Sequence, residues 1–345
     1  MVVSSIRNHS DCSVSDRRSI PYFETRFVER RVGRTAGTDH AEPIPMDAAL
    51  SSFHRPAIRS HDRLDSATAT RSAKEQSFYV VIDAFSCDER MKLEDETTVK
   101  TTTKSLRIVE FVHEHNGAGI TEIATQLELS KSTVYKHLRT LEQERYVYKG
   151  DGDVYYVGLR FLSLGVGARR RRRIYETAKP EIQRLAEESG EMANLLVEEH
   201  GRGIFLYRAD SSRAVNLDTH AGREVYLHTT AMGKAILACL PERRVDEIID
   251  RHGLPEMTEH TITDREVLFE DLETIADQGW AVDREERLKG LCCVATAITD
   301  PDDTPLGAIS VSGPRSRLKD GKLVDELPEL ILNIKNVIEL NVAYE

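Results

Sequence analysis

Between Leu106 and Val157 the apolar residues pass from a helical period to an alternating one, and that order leaves few folds open. Leu106, Ile108, Val109, Phe111 and Val112 read as the apolar face of a helix that Asn116-Gly117 closes. Ile120, Ile123, Ala124 and Leu127 repeat at helical spacing in a second, short helix, with Gly119 at its N-cap and Glu122 three residues on. After a turn at Glu128-Leu129, Ser130 is a good N-cap, and Val134, Leu138 and Leu141 recur at i, i+4 and i+7. The period then falls to two. The runs RYVYK (145–149) and VYYV (154–157) flank Gly-Asp-Gly-Asp and read as a β-hairpin. Helix, tight turn, helix and hairpin together form the plan of a winged helix-turn-helix over 98–158.

With Val134, Leu138 and Leu141 facing inward, the third helix turns Lys131, Ser132, Thr133, Tyr135, Lys136, His137 and Arg139 outward. The cations suit phosphate or guanine; the hydroxyls and the tyrosine ring suit base edges and the thymine methyl. Lys149, beside the hairpin tip, adds a backbone contact. The chain as a whole carries a formal net charge of −11, which opposes a polyanion. Its charges are segregated, however. Lys+Arg against Asp+Glu stand at 13 and 13 in residues 1–90, 15 and 11 in 91–175, and 19 and 34 in 176–345. Only the segment holding the hairpin and its helices is basic, and association with phosphate depends on the local field. A C-terminal half this acidic also suits a high-salt cytoplasm.

Other classes find little support. Apolar runs such as 78–82 and 204–207 fall far short of the roughly 18–20 residues that span a bilayer, and the first residues lack the order of a secretory signal. A cytoplasmic protein without a membrane segment is expected. The five cysteines form no C-x-x-C pair and no even framework, so no metal, cofactor or disulfide scaffold is expected. Residues 1–90 hold 12 Arg and one Lys with no sustained period, and read as disordered or as an extension ahead of a true start at Met91. Within them, residues 78–85 could pair as a strand.

Beyond Gly158, Leu159, Phe161, Leu162 and Leu164 continue as a linker helix over 159–179 that carries the run Arg169-Arg-Arg-Arg-Arg173. Five consecutive arginines wrap right round a helix, so they cannot all face one duplex. Specific DNA contact, a general electrostatic role and pairing with the acidic domain all remain open for them. Pro180 sits near the start of a helix at 181–189. Residues 180–345 then form a second domain with strands at 192–198, 203–208, 214–218, 280–283, 291–298 and 306–312. Helices at 232–240 and 245–252 and a closing helix near 325–342 complete an α+β reading. Cys292, Cys293, His220, His228 and Asp283 supply the residue types of a thiol-dependent enzyme, though no local signature surrounds either cysteine. A winged helix used only for protein contact is a further alternative.

Five strings, in order, resemble the IclR family of transcriptional regulators: ITEIATQLELSKSTVYKHLRTLEQERYV, YYVGLRFLSLG, LHTTAMGKAILACLP, GWAVDREERLKGLCCVATAITD and LGAISVSGPRSRL. The resemblance runs from about Lys100 to the C-terminus. It implies an N-terminal winged helix-turn-helix, a helical linker and a C-terminal GAF-like α/β ligand-binding domain with an antiparallel sheet. It implies binding rather than catalysis: a homodimer or dimer of dimers on a roughly palindromic operator in double-stranded DNA, answering to a small organic acid or aromatic metabolite. In the implied pocket Ala231 and Met232 offer backbone amides, Asp283 marks the polar end, Cys293 lies on the central strand, and Ser310 and Ser312 supply hydroxyls. Cys292 departs from the family, where arginine is common, and leaves the ligand's charge open. The residues agree on two points: alternation puts Ser310 and Ser312 on one strand face, and amides at a helix start are ready anion donors.

Overall fold

A computed structural model describes residues 98–212 and 219–344. The strand expected at 214–218, the patch at 78–85 and the readings of 1–90 and of a start at Met91 lie outside the described residues.

The N-terminal head packs α1 (Lys100–Glu114), α2 (Ile120–Gln126) and α3 (Lys131–Gln143) around Ile108, Val112, Ile123, Val134 and Leu138. Leu106, expected to face inward, is exposed: two residues back along a helix is about 200° round from Ile108, which is buried. The Ser130 hydroxyl accepts the Thr133 amide at 3.1 Å, and the Glu122 carboxylate accepts the Gly119 amide at 3.5 Å, so both short helices start where the capping residues place them. β2 (Val147–Lys149) pairs antiparallel with β3 (Val154–Val157), and the two-residue β1 (Ala118–Gly119) pairs with the other side of β3. At the tip Gly152 and Asp153 take positive φ, 71° and 62°, which a tight Gly/Asp turn accommodates.

The linker differs from its expectation. It forms two helices, α4 (Arg160–Arg170) and α5 (Arg173–Ser189), broken where Arg172 takes an extended conformation. α5 therefore begins upstream of the expected 181, with Pro180 in its interior. Pro180 lacks the N–H that would bond the Glu176 carbonyl, but both residues are exposed, so water can serve that carbonyl. Ile174, Ala178, Ile182 and Leu185 bury the opposite face.

The C-terminal domain is a six-stranded antiparallel sheet in the order β6-β5-β4-β9-β8-β7. Its strands are β4 (Met192–Glu199), β5 (Arg202–Ala209), β6 (Glu224–Tyr226), β7 (Ala281–Arg284), β8 (Leu291–Thr299) and β9 (Pro305–Pro314). α5 and the closing α9 (Leu327–Tyr344) cover one face; α6 (Ala231–Ala238), α7 (Glu242–His252) and α8 (Arg265–Gln278) cover the other. Alternation along the strands assigns Ile309, Val311, Cys292 and Val294 to the first face, and Ala308, Cys293 and Ala295 to the second. The expected α+β class is the observed one. Cys293 lies on β8, one strand in from the edge strand β7 rather than at the sheet centre. β6 and α8 are additions to the elements expected from sequence. Among the described residues no helix is long and apolar enough to cross a membrane.

Candidate functional site

On α3, Lys131, Ser132, Tyr135, Lys136 and Arg139 are exposed. Arg139 donates to the Tyr135 hydroxyl at 3.1 Å, an i, i+4 pair that holds both side chains on the outer face. Thr133 is half-buried, its hydroxyl 2.8 Å from that of Ser130 within the helix cap. His137 departs from the outward set. Its Nδ1 lies 2.7 Å from the Ser105 hydroxyl on α1, and burial, with the nearby Lys104, lowers its pKa. The cause is angular: residue 137 lies on the flank of the Val134–Leu138 stripe, so its ring joins α3 to α1. Lys149 ion-pairs with Asp153 across the hairpin tip, which offsets its charge locally.

Three arginines of the run, Arg169, Arg172 and Arg173, have partners in the C-terminal domain. Arg169 donates to the Leu206 carbonyl at 3.4 Å and covers the Tyr175 ring, Arg172 bonds Glu199 at 2.7 Å, and Arg173 reaches the Val342 carbonyl at 3.5 Å near the end of α9. Arg170 lies 3.9 Å from Glu176. Of the three roles open in the sequence, pairing with the C-terminal domain is the one this geometry occupies.

A small cavity of about 20 Å³ lies between the sheet and the start of α6, and Ala231, Met232, Asp283, Cys293, Ser310 and Ser312 all line it. Thr230 caps α6: its hydroxyl accepts the Gly233 amide and its carbonyl the Lys234 amide, both at 2.9 Å. The amides of Ala231 and Met232 come ahead of both, at the positive end of the helix. Gly233 permits this arrangement, since a Cβ there would sit 2.1 Å from the Leu227 carbonyl oxygen. Asp283 is buried, accepting the Glu286 amide at 2.7 Å; burial, and next the charge of Glu286, push its carboxyl up to about 7.

Sequence reasoning missed Asn194, Phe205, Thr230 and Arg287, which also line the cavity. Asn194 carried a signal, a lone amide inside the apolar strand MANLLV. Its Nδ2 donates to Ser310 at 3.2 Å and to Ser312 at 3.3 Å. Arg287 carried none, being one charge among several in DREERLK; its guanidinium stands 5.7 Å from the Phe205 ring centre.

Beneath the cavity a buried ion cluster fixes α6. The Lys234 ammonium donates to Glu286 at 2.8 Å and lies 2.9 Å from the Asp271 carboxylate of α8, the latter an ion-pair contact without hydrogen-bond alignment. Burial alone would lower the lysine's pKa, but Glu286 and Asp271 outweigh it and hold the ammonium above its ordinary range. The ingredients of a thiol enzyme are dispersed. Cys292 and Cys293 face opposite sides of the sheet, and burial pushes the first up to about 11 and the second well above the ordinary thiol range. Burial pulls His228 down to about 4, and its Nε2 is bonded to the Pro255 carbonyl at 3.1 Å. The His220 ring is bonded to the Ala221 carbonyl. Among the described residues no cluster of His, Cys, Asp or Glu could hold a metal ion.

The family profile for the IclR helix-turn-helix domain matches residues 101–151, and that for the bacterial transcriptional regulator IclR C-terminal domain matches 167–338. The "probable HTH-type transcriptional regulator ArcR" of Halobacterium salinarum is 31% identical over 245 residues, 70% of this chain and 93% of that protein. The chain belongs to the IclR family. Another IclR-family relative, the transcriptional repressor IclR of Escherichia coli, is 31% identical over 71% of this chain and 90% of its own length. The crystal structure of the Thermotoga maritima IclR superposes with a TM-score of 0.60 at 27% identity, covering 71% of this chain and 99% of that one. An IclR homolog from Microbacterium hydrocarbonoxydans, complexed with 4-hydroxybenzoate, shares the fold at a TM-score of 0.61 and 20% identity, over 70% and 98% of the two chains. As an IclR-family member, this protein is a transcriptional regulator with a DNA-binding helix-turn-helix and a C-terminal domain.

Proposed function

We propose that this regulator is ligand-responsive: α3 reads double-stranded DNA, and the cavity at the start of α6 takes a small organic or aromatic acid whose binding changes how the DNA heads are held. The observation that carries the reading is the cavity itself, which the first residues of α6, Arg287 and the buried Asp283 line together. The fold-mate complexed with 4-hydroxybenzoate is in keeping with an acid as occupant. Phe205 of the cavity wall precedes Leu206, whose carbonyl accepts Arg169 of the linker. A displacement of β5 is therefore felt at the linker, and ligand shifts the population of two arrangements by its preference for one.

DNA contact is assigned to Lys131, Ser132, Tyr135, Lys136 and Arg139, with Thr133 and His137 positioning the helix and Lys149 close to the backbone. The partner is a second copy of the chain. α4 has no buried residue and exposes Leu159, Leu162 and Leu164, while α1 exposes Leu106. A two-fold operator calls for a self-complementary interface that sets the spacing of two heads.

Fluorescence anisotropy on duplexes from the upstream regions of its own and neighbouring genes tests the DNA assignment. Lys136→Ala and Arg139→Ala are each expected to weaken binding several-fold and to reduce the salt slope by about one unit. Binding that ignores salt and both substitutions would favour a winged helix used for protein contact.

A further inference from the structure

We propose that the effector is a short carboxylic acid bearing a hydroxyl group, and that Asn194 is the residue that selects the hydroxyl. This deepens the ligand-sensing reading and rests on it. The cavity is polarised. Its lining includes Ala231 and Met232 at the start of α6 and the cationic Arg287, which suit a carboxylate. The floor is β4 and β9, where Asn194 lies opposite Ser310 and Met192 opposite Ser312.

Asn194 is 1% exposed and lines this space. Both serine hydroxyls take its Nδ2, while its Oδ1 has no hydrogen-bond partner. Buried acceptors in native proteins are almost always matched, so an unmatched one in a cavity wall marks the place of a donor that arrives from outside the chain. A carboxylate cannot donate, and neither can a ketone. A hydroxyl can, and a site built around a hydrogen bond to a hydroxyl discriminates strongly against an analogue lacking it, because the protein group is then left buried and unpaired. The cavity is small, about 20 Å³, which favours acids of a few carbons over larger ligands. The reverse orientation of the Asn194 amide would present Nδ2 instead, to which hydroxyl and keto oxygens can both serve as acceptors, so only the orientation with Oδ1 facing the cavity separates hydroxy from keto acids.

Calorimetric titration of the full chain with two matched sets tests this: lactate, pyruvate and propionate, then 3-hydroxybutyrate, acetoacetate and butyrate. In at least one set the hydroxy acid is expected to bind tenfold or more tighter than its keto partner. Asn194→Leu, with folding checked by thermal unfolding, is expected to bring that ratio close to one. Keto acids binding as well as or better than hydroxy acids in the unaltered protein would overturn the proposal with no variant needed. So would an unchanged ratio in Asn194→Leu. Equal binding of all six acids that is lost on Arg287→Gln would sink this inference and leave the cavity reading intact; no binding by any of them would sink this inference, and the cavity reading with it only if 4-hydroxybenzoate is refused as well.

Discussion

Burial, and next the charge of Glu286, lift the Asp283 carboxyl to about 7. In an unfolded chain it would titrate near 4, so between about 4 and 7 the native state holds a proton that the unfolded state has released. Stability from this group therefore falls as pH rises through that window, and above 7 a constant penalty remains. Asp283→Asn is expected to stabilise the protein at pH 8 by up to about 4 kcal/mol in urea unfolding, with the gain fading towards pH 4. A bound carboxylate favours the protonated form, so acid binding at the proposed site takes up a proton, and affinity is expected to drop between pH 6 and pH 8. Titrations in buffers of different ionisation enthalpy would register the proton. Lys234 makes the contrasting case. Lys234→Met leaves the buried Glu286 and the half-buried Asp271 without their cation, and is expected to cost roughly 3 kcal/mol by the same unfolding measurement.

Among the elements, α3 depends on local chemistry and α6 on its surroundings. Ser130→Ala removes the cap of α3 and is expected to cost about 1 kcal/mol in urea unfolding, with weaker DNA binding as the first turn frays. Gly233→Ala drives a methyl into the Leu227 carbonyl, so thermal unfolding is expected at lower temperature. The same contrast decides what was legible in the sequence. The head could be read because its caps, its 3.6-residue stripes and its Gly/Asp tip are all short-range signals. Five of the six strands of the sheet, all but β6, and the face shared by Ser310 and Ser312 followed from alternation. α8 did not stand out, although Asp264 caps it and Leu268, Leu272 and Ile275 form its stripe, because Val267 and Phe269 blur the polar face. Asn194 meets Ser310 across 116 positions, Arg169 meets Leu206 across 37, and Arg173 meets Val342 across 169. No local pattern records such pairings. His137 was misplaced for a related reason, since Ser105, which draws its ring inward, lies on another helix 32 positions away.

For the whole molecule, the separation of a basic head from a strongly acidic C-terminal half lets one end approach DNA while the other stays in solvent. The exposed leucines of α4 are the surface on which two copies are proposed to meet. Leu162→Lys with Leu164→Lys is expected to shift sedimentation towards the monomer and to weaken operator binding together, with the fold of each domain retained by circular dichroism. Between head and cavity stands the broken linker, held to β5 and the β4–β5 hairpin by Arg169 and Arg172. The most direct test of the coupling is the affinity for an operator duplex, measured by anisotropy with and without a saturating concentration of the tightest-binding of the six acids. A coupled regulator changes its duplex affinity on the order of fivefold or more, and Arg287→Gln removes the change. The same affinity with the cavity demonstrably filled by calorimetry would contradict it.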